Sequence, residues 1–270
     1  MFTDNISKIR TPAVAGQFYP AEPSQLTDLI QNMLRQAKAV SPRHIKALIV
    51  PHAGFIYSGP VAATAYQTLI QQANEIKRVV LLGPSHRVGF HGIATISATE
   101  YQMPQGNIKI DRAAVNLIEV LPQVQQLDKA HEQEHSLEVQ LPFLQLVLGT
   151  TFNLVPLVVG DCPANQVAEV LELLWGGQET LIVISSDLSH CQSYQLAQQQ
   201  DQQTSESILS LSPENIHYED ACGRNPVNGL LLAAKSHHLK PALVDLRNSG
   251  DTAGPRDRVV GYGAYLFSDG

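Results

Sequence analysis

Near-continuous apolar runs recur along the chain at Ile45 to Val50, Arg78 to Leu82 and Thr180 to Ile184. They are too short to stand as helices, and they lack the alternation of a strand with one wet face. They therefore predict strands buried on both sides, as in a parallel sheet. Between them lie stretches with helical spacing. Leu26, Leu29, Ile30, Met33 and Leu34 predict a helix from about Ser24 to Val40. Ser58-Gly59-Pro60 opens a second through Ile70, with proline near its first turn. Further helices are predicted over Asp111 to Val120, over Leu137 to Leu148 with Pro142 kinking or restarting it, and over Ala164 to Trp175. The glutamine-rich run Gln198 to Gln203 reads as the solvated face of a helix beginning near Tyr194. Glu214 to Cys222 is predicted helical up to Gly223, and Asn225 to His238 is the last helix. Ile93 to Ser97, Phe152 to Val159, Ala242 to Leu246 and Val259 to Phe267 complete the strands, and Pro156 implies an irregularity or an edge in its own. No repeat or linker interrupts this alternation. The pattern predicts one α/β domain over residues 1–270, with a mostly parallel central sheet flanked by helices on both faces.

Composition narrows the function classes. The 270 residues suffice for a large core. Basic residues number 18 against 25 acidic ones, and no Lys/Arg cluster exceeds pairs such as Lys77-Arg78, which argues against nucleic acid and anionic membranes as partners. Met1 to Pro20 lacks a signal-peptide core, and no run approaches the roughly 18 apolar residues of a membrane span, so a cytoplasmic protein is expected. Cys162, Cys191 and Cys222 are odd in number and far apart. That pattern speaks against a disulfide framework and leaves each as a small buried hydrophobe, a ligand or a nucleophile.

Polar chemistry gathers where the apolar runs stop. They end in Pro51-His52-Ala53-Gly54, in Gly83-Pro84-Ser85-His86 and in Ser185-Ser186-Asp187-Leu188-Ser189-His190-Cys191. Ligand sites of open α/β sheets lie outside the carboxyl ends of the strands, so His52, His86, Asp187 and His190 are expected to converge there. One histidine after a strand ordinarily bonds a turn; three such ends in one chain suggest a site. Imidazole and thiolate suit zinc, copper or iron, and carboxylates suit harder ions. Ser189 and His190 are adjacent and diverge on an extended backbone, and the glycine-flanked elbow of serine hydrolases is missing. A phosphate-binding glycine loop is also missing.

The densest polar stretch is His131-Glu132-Gln133-Glu134-His135-Ser136-Leu137-Glu138. It fits two zinc-hydrolase patterns, H-E-x-x-H and H-x-x-E-H. It also fits the acidic first turn of a helix. Glu132, Glu134 and Glu138 could supply ligands, orient them or carry protons.

Taken together the motifs resemble those of a known family. Pro-His-Ala-Gly-Phe-Ile-Tyr-Ser-Gly at 51 to 59, Leu-Gly-Pro-Ser-His at 82 to 86, and His131 with the segment from His135 to Leu144 are similar to the Memo family, called AmmeMemoRadiSam system protein B in prokaryotes. Ser-Ser-Asp-Leu-Ser-His at 185 to 190, Ala-Cys-Gly at 221 to 223, Ser-Gly-Asp at 249 to 251 and Val-Val-Gly-Tyr at 259 to 262 extend the resemblance over nearly the whole chain. It implies a fold similar to class III extradiol ring-cleaving dioxygenases, which are non-haem iron enzymes. It also implies metal ligands at His52, His86 and Cys222, with Asp187, His135 and His190 around them. Cys222 replaces a dioxygenase carboxylate with a softer, oxidisable group. Phe55 and Cys191 stand where the family often has tyrosine. The family name further implies a pathway shared with AMMECR1-like and radical SAM proteins.

The leading expectation is a redox-active protein holding iron or copper, with zinc as a third candidate metal. Asp187 would be an extra ligand or proton carrier, and His135 and His190 acid/base or oxygen-binding groups. One alternative is a non-catalytic module gripping a peptide or small ligand in the same pocket. Another is a zinc hydrolase built on His131 and His135.

Overall fold

A computed structural model describes residues 8–38 and 44–269. Its strands are β1 (Ile9–Arg10), β2 (Ile45–Val50), β3 (Arg78–Pro84), β4 (Ile93–Thr95), β5 (Glu100–Tyr101), β6 (Ile108–Lys109), β7 (Val124–Gln126), β8 (Asn153–Val159), β9 (Thr180–Ser185), β10 (His190–Gln192), β11 (Lys240–Asn248) and β12 (Val259–Ser268). The α-helices are α1 (Pro23–Gln36), α2 (Phe55–Gln67), α3 (Arg112–Ile118), α4 (Asp128–Glu132), α5 (Leu141–Leu148), α6 (Ala164–Leu174), α7 (Tyr194–Leu209) and α8 (Arg224–Ser236). The expected end of the first helix at Ala39 and Val40 lies outside the described residues.

The main sheet runs β7-β4-β8-β3-β9-β2-β12, and β10 and β11 also pair with β12. Its centre, β2-β9-β3-β8, is parallel, which is where the apolar runs placed it. Antiparallel pairings to β12 and between β4 and β8 extend it into a mixed sheet. All six residues of β2 and of β9 are buried, so both faces must be covered. Helices α1, α2 and α5 pack on one another as one group, α3, α6 and α8 as a second, and α7 lies against β11 and β12. A small separate sheet, β1-β5-β6, ties in the N-terminal segment.

Four local features matter, one of them, the restart at Pro142, as the sequence implied. Helix α2 begins at Phe55, just after His52, and Pro60 falls inside it. The proline deprives the Ile56 carbonyl of its partner on a side of the helix where Ile56 is 61% exposed, so water can replace the lost bond. Pro142 restarts a helix: a 3-10 turn over Glu138–Gln140 passes into α5 with proline in its first turn. Pro156 sits within β8 and faces Leu81 of β3, while β4 pairs only with Val158 and Val159. The proline thus occupies a stretch of β8 where β4 has no ladder bond to lose. The helix expected over Glu214 to Cys222 is absent beyond a 3-10 turn at Pro213–Asn215. There the Asp220 carboxylate accepts the His217 N–H at 2.8 Å and holds a turn in place of helix. Cys222 therefore rides on a turn directly ahead of α8.

Candidate metal centre

Because β2, β9 and β3 are parallel neighbours, the residues after their last positions emerge side by side at one edge. Those residues include His52, Asp187 and His86, and Cys222 joins them from the turn before α8. His52 Nε2 lies 3.4 Å from Cys222 Sγ. One nitrogen of each of His52 and His86 and the Cys222 sulfur fall within 4.8 Å of one another. The His52 and His86 rings meet edge-on with centroids 5.2 Å apart. His135 makes a third imidazole, stacked on His86 at 4.7 Å and edge-on to His52 at 5.5 Å.

The hydrogen bonds behind the rings decide which nitrogens are bare. Ser185 Oγ donates its proton to the Ser136 carbonyl at 2.6 Å. Gln140 Nε2 donates to the Pro51 carbonyl at 2.9 Å and to Ser185 Oγ at 2.7 Å. With its own proton committed, Ser185 Oγ can only accept from His52 Nδ1, 2.8 Å away. His52 is therefore the Nδ1–H tautomer, and its bare Nε2 points at Cys222. The same logic fixes His86, whose Nδ1 stands 2.9 Å from Glu134 Oε1. A carboxylate accepts, so Nδ1 carries a proton, and Nε2 is the nitrogen open to a cation. Imidazoles backed by a carboxylate or hydroxyl in this way are the arrangement that orients histidine toward a cation.

Glu134 is itself held. Its Oε2 accepts the His86 N–H at 2.6 Å, and its Oε1 accepts those of His135 and Ser136, each at 2.9 Å. Burial acts to raise its pKa, yet the bonds from His86 and Ser136 hold it down at about 2. Burial, followed by the charges of His86 and His135, pushes His52 well below the usual imidazole range. His135 is lowered too, chiefly by burial. Burial and then Asp187 push the Cys222 thiol up, so it stays protonated at neutral pH until a cation displaces the proton. The Asp187 N–H already points at Cys222 Sγ from 3.3 Å, and the Asp187 carboxylate accepts the His52 N–H at 2.7 Å. Burial raises the Asp187 pKa, against the pull of His190.

Two glycines let these segments approach. A Cβ on Gly83 would meet Ser136 Oγ at 2.8 Å, and one on Gly223 would meet Ser186 Cβ at 2.7 Å. Without them the loop carrying Glu134 to Ser136 could not close over β3, and Cys222 could not reach the end of β9.

The motif from His131 to Glu138 divides into parts with different tasks. His131 is fully buried, with Nδ1 2.7 Å from Tyr101 Oη and Nε2 3.0 Å from the Ala94 carbonyl, so neither nitrogen is available to a metal. Helix α4 stops at Glu132, and His135 lies beyond it. The two histidines thus never share one helical face, and the zinc grip expected from their spacing does not form. Glu138 is buried against the Arg10 guanidinium and accepts Ala13 N–H at 2.7 Å, Val14 N–H at 3.0 Å and Tyr19 Oη–H at 2.5 Å. Arg10 also donates to the Glu134 carbonyl at 2.6 Å. This knot ties the N-terminal strap to the site, and Phe18 of that strap lies against His135 with ring centroids 4.8 Å apart.

Comparison with known proteins shows the family. A family model described as Memo-like protein matches residues 10–266. The chain belongs to the Memo-like family. A MEMO1 family protein of Ignicoccus hospitalis is 36% identical over 96% of this chain and 98% of its own length. Relatives bearing the same family name in Methanopyrus kandleri and Methanosarcina barkeri are 32% and 34% identical over 97% and 96% of the chain, and 99% of each of those proteins is covered.

Within this Memo-like fold, His52, His86 and Cys222 are together as expected, with Asp187 and His135 beside them. His190 is exposed; its Nδ1 donates to the Leu188 carbonyl at 2.8 Å, and its influence on Asp187 is electrostatic. Ser189 is buried, so the two neighbours diverge as their spacing implied. Phe55 packs into the core against Tyr19 and Phe143 and does not face the site. Sequence reasoning missed Ser185 and Gln140 and left Glu134 among three interchangeable glutamates. The available signal was a lone polar residue within an apolar run, as Gln140 is between Val139 and Leu141. Among the described residues, no helix is long and apolar enough to cross a membrane.

Proposed function

We propose that this protein is a redox-active metalloprotein that holds iron or copper through His52 Nε2, His86 Nε2 and Cys222 Sγ and acts on a small organic substrate. The observation that carries the reading is the gathering of two imidazoles, each backed at Nδ1 by Ser185 or Glu134, and one thiol: His52 Nε2 lies 3.4 Å from Cys222 Sγ, and a His86 ring nitrogen lies within 4.8 Å of both. Two imidazoles and a sulfur suit iron, copper or zinc and serve hard oxygen-seeking ions poorly. When bound, iron or copper supplies a Lewis acid able to exchange electrons.

The remaining chemistry belongs to the chain. Cys222 must lose its proton to serve as a ligand, so affinity rises with pH. Glu134 and Ser185 keep the rings in one tautomer and orientation. Asp187, fixed through one oxygen by the His52 N–H, is placed to hold or release a proton at the other. His135 Nδ1 is buried 3.3 Å from the Glu134 carboxylate without a hydrogen bond to it, a second position for a proton beside the ligands. Phe18 covers His135 and restricts water on that side. An oxidisable thiol ligand fits a reducing compartment such as the cytoplasm.

X-ray absorption of protein reconstituted anaerobically with Fe(II) or Cu(I) tests the reading. One sulfur and at least two nitrogen neighbours are expected, with the sulfur lost in Cys222→Ser. A spectrum without sulfur in the wild type would overturn it.

A further inference from the structure

Beside Cys222 lies a cleft of about 410 Å³ whose walls are partly apolar, from Pro84, Val159 and Pro226, and partly polar, from Asp161, Asn225 and Arg224. This volume is in the range that takes a small organic molecule. Arg224, half-buried at the start of α8, lies over the Tyr218 ring with its guanidinium carbon 5.8 Å from the centroid. Arg224 makes no side-chain hydrogen bond or ion pair among the described residues, unlike Arg10, each of whose three guanidinium nitrogens donates behind the site. A half-buried guanidinium with its donors unused, in a cleft where Pro84, Val159 and Pro226 supply one apolar wall, is matched by a small ligand with an apolar part and one oxyanion.

We propose that this cleft is the substrate entrance, and that Arg224 receives a carboxylate-type anion of the substrate and so places its apolar body against Cys222. The inference rests on the metal-centre reading for its functional meaning, because only a ligand at Cys222 makes this cleft lead to a reactive atom. Arg224 is the specificity-determining residue and Tyr218 its platform. The cleft favours a monoanion over a doubly charged phosphate, because the Asp161 carboxylate lies in the same lining and is 71% exposed. Among the described residues, one guanidinium lines the cleft to offset the second charge.

The test uses the full-length protein, titrated calorimetrically at millimolar concentrations with benzoate, its neutral isostere benzamide, and inorganic phosphate. Metal content is measured on the same samples. Wild type is expected to bind benzoate about tenfold more tightly than benzamide, the size of one charge-assisted contact. Phosphate is expected to bind more weakly than benzoate. Arg224→Gln should abolish the preference for benzoate with metal content unchanged, and Arg224→Lys should restore part of it. Equal binding of benzoate and benzamide by wild type, no binding of either, a preference that survives Arg224→Gln, or tighter binding of phosphate would each overturn the proposal. Metal loss in the Cys222 variant reports on the centre separately. If wild type holds no metal while the benzoate preference stands, the metal reading fails and the anion subsite survives; with metal bound and no preference, the subsite alone fails.

Discussion

Glu134 Oε1 lies 2.9 Å from His86 Nδ1, and the other oxygen of the same carboxylate takes the His86 backbone N–H. One side chain thus fixes both the ring and the main chain of a candidate ligand. Glu134→Gln keeps the shape and removes the charge. Metal affinity, measured by competition with a chelator, should fall about 10- to 100-fold while the protein stays folded. Unchanged affinity would mean that His86 is oriented by other contacts.

Ser185 does for His52 what Glu134 does for His86. Ser185→Ala removes the acceptor for Nδ1–H and strands the Ser136 carbonyl and one Gln140 proton. A stability loss of about 1–3 kcal/mol in urea unfolding is expected, with weaker metal binding beyond it. A variant that loses stability alone would show that the His52 tautomer is set elsewhere.

The Arg10–Glu138 pair has a structural task only. Both side chains are buried, at 3% and 0% exposure, so Glu138→Ala leaves a guanidinium without its counter-charge. The expected cost is about 3–5 kcal/mol. The fraction that remains folded should bind metal at wild-type stoichiometry, which metal analysis of the native fraction checks. Loss of metal without loss of stability would place Glu138 in the site.

Much of the fold was legible because the central strands are buried on both faces and therefore read as unbroken apolar runs, and β2, β3 and β9 lie where those runs predicted. Short strands such as β1, β5 and β7 have too few residues to show a period. Their pairing comes from tertiary contacts that spacing does not encode. Of the site, the residues after strand ends were legible for the same reason the strands were: His52, His86 and Asp187 follow directly from parallel neighbours. Cys222 came from resemblance alone, since the turn that carries it reads as helix until Asp220 is seen to cap it. The motif at His131 misled because its spacing matches a helical turn, whereas α4 ends at Glu132 and Tyr101 and Ala94 occupy the His131 ring.

Asp201 offers a pH test away from the candidate ligands. It is 2% exposed on α7, accepts the Ser189 N–H at 3.0 Å, and burial lifts its pKa from 3.8 to about 6. Between pH 4 and 6 the native state keeps a proton that the unfolded chain has lost, so stability falls as pH rises through that window. Asp201→Asn should remove this fall. It should match wild type below pH 4 and exceed it at pH 7 by up to roughly 3 kcal/mol. Parallel stability profiles for the two proteins would contradict the assignment.

The central claim is tested most directly by metal analysis of untagged protein purified under reducing conditions, on wild type and the His52→Ala, His86→Ala, Cys222→Ala and His131→Ala variants. Wild type should carry close to one iron or copper per chain; the first three variants should lose it, and folded His131→Ala should retain it. Equally little metal in wild type and Cys222→Ala, or loss in His131→Ala with retention in His52→Ala, would contradict the account.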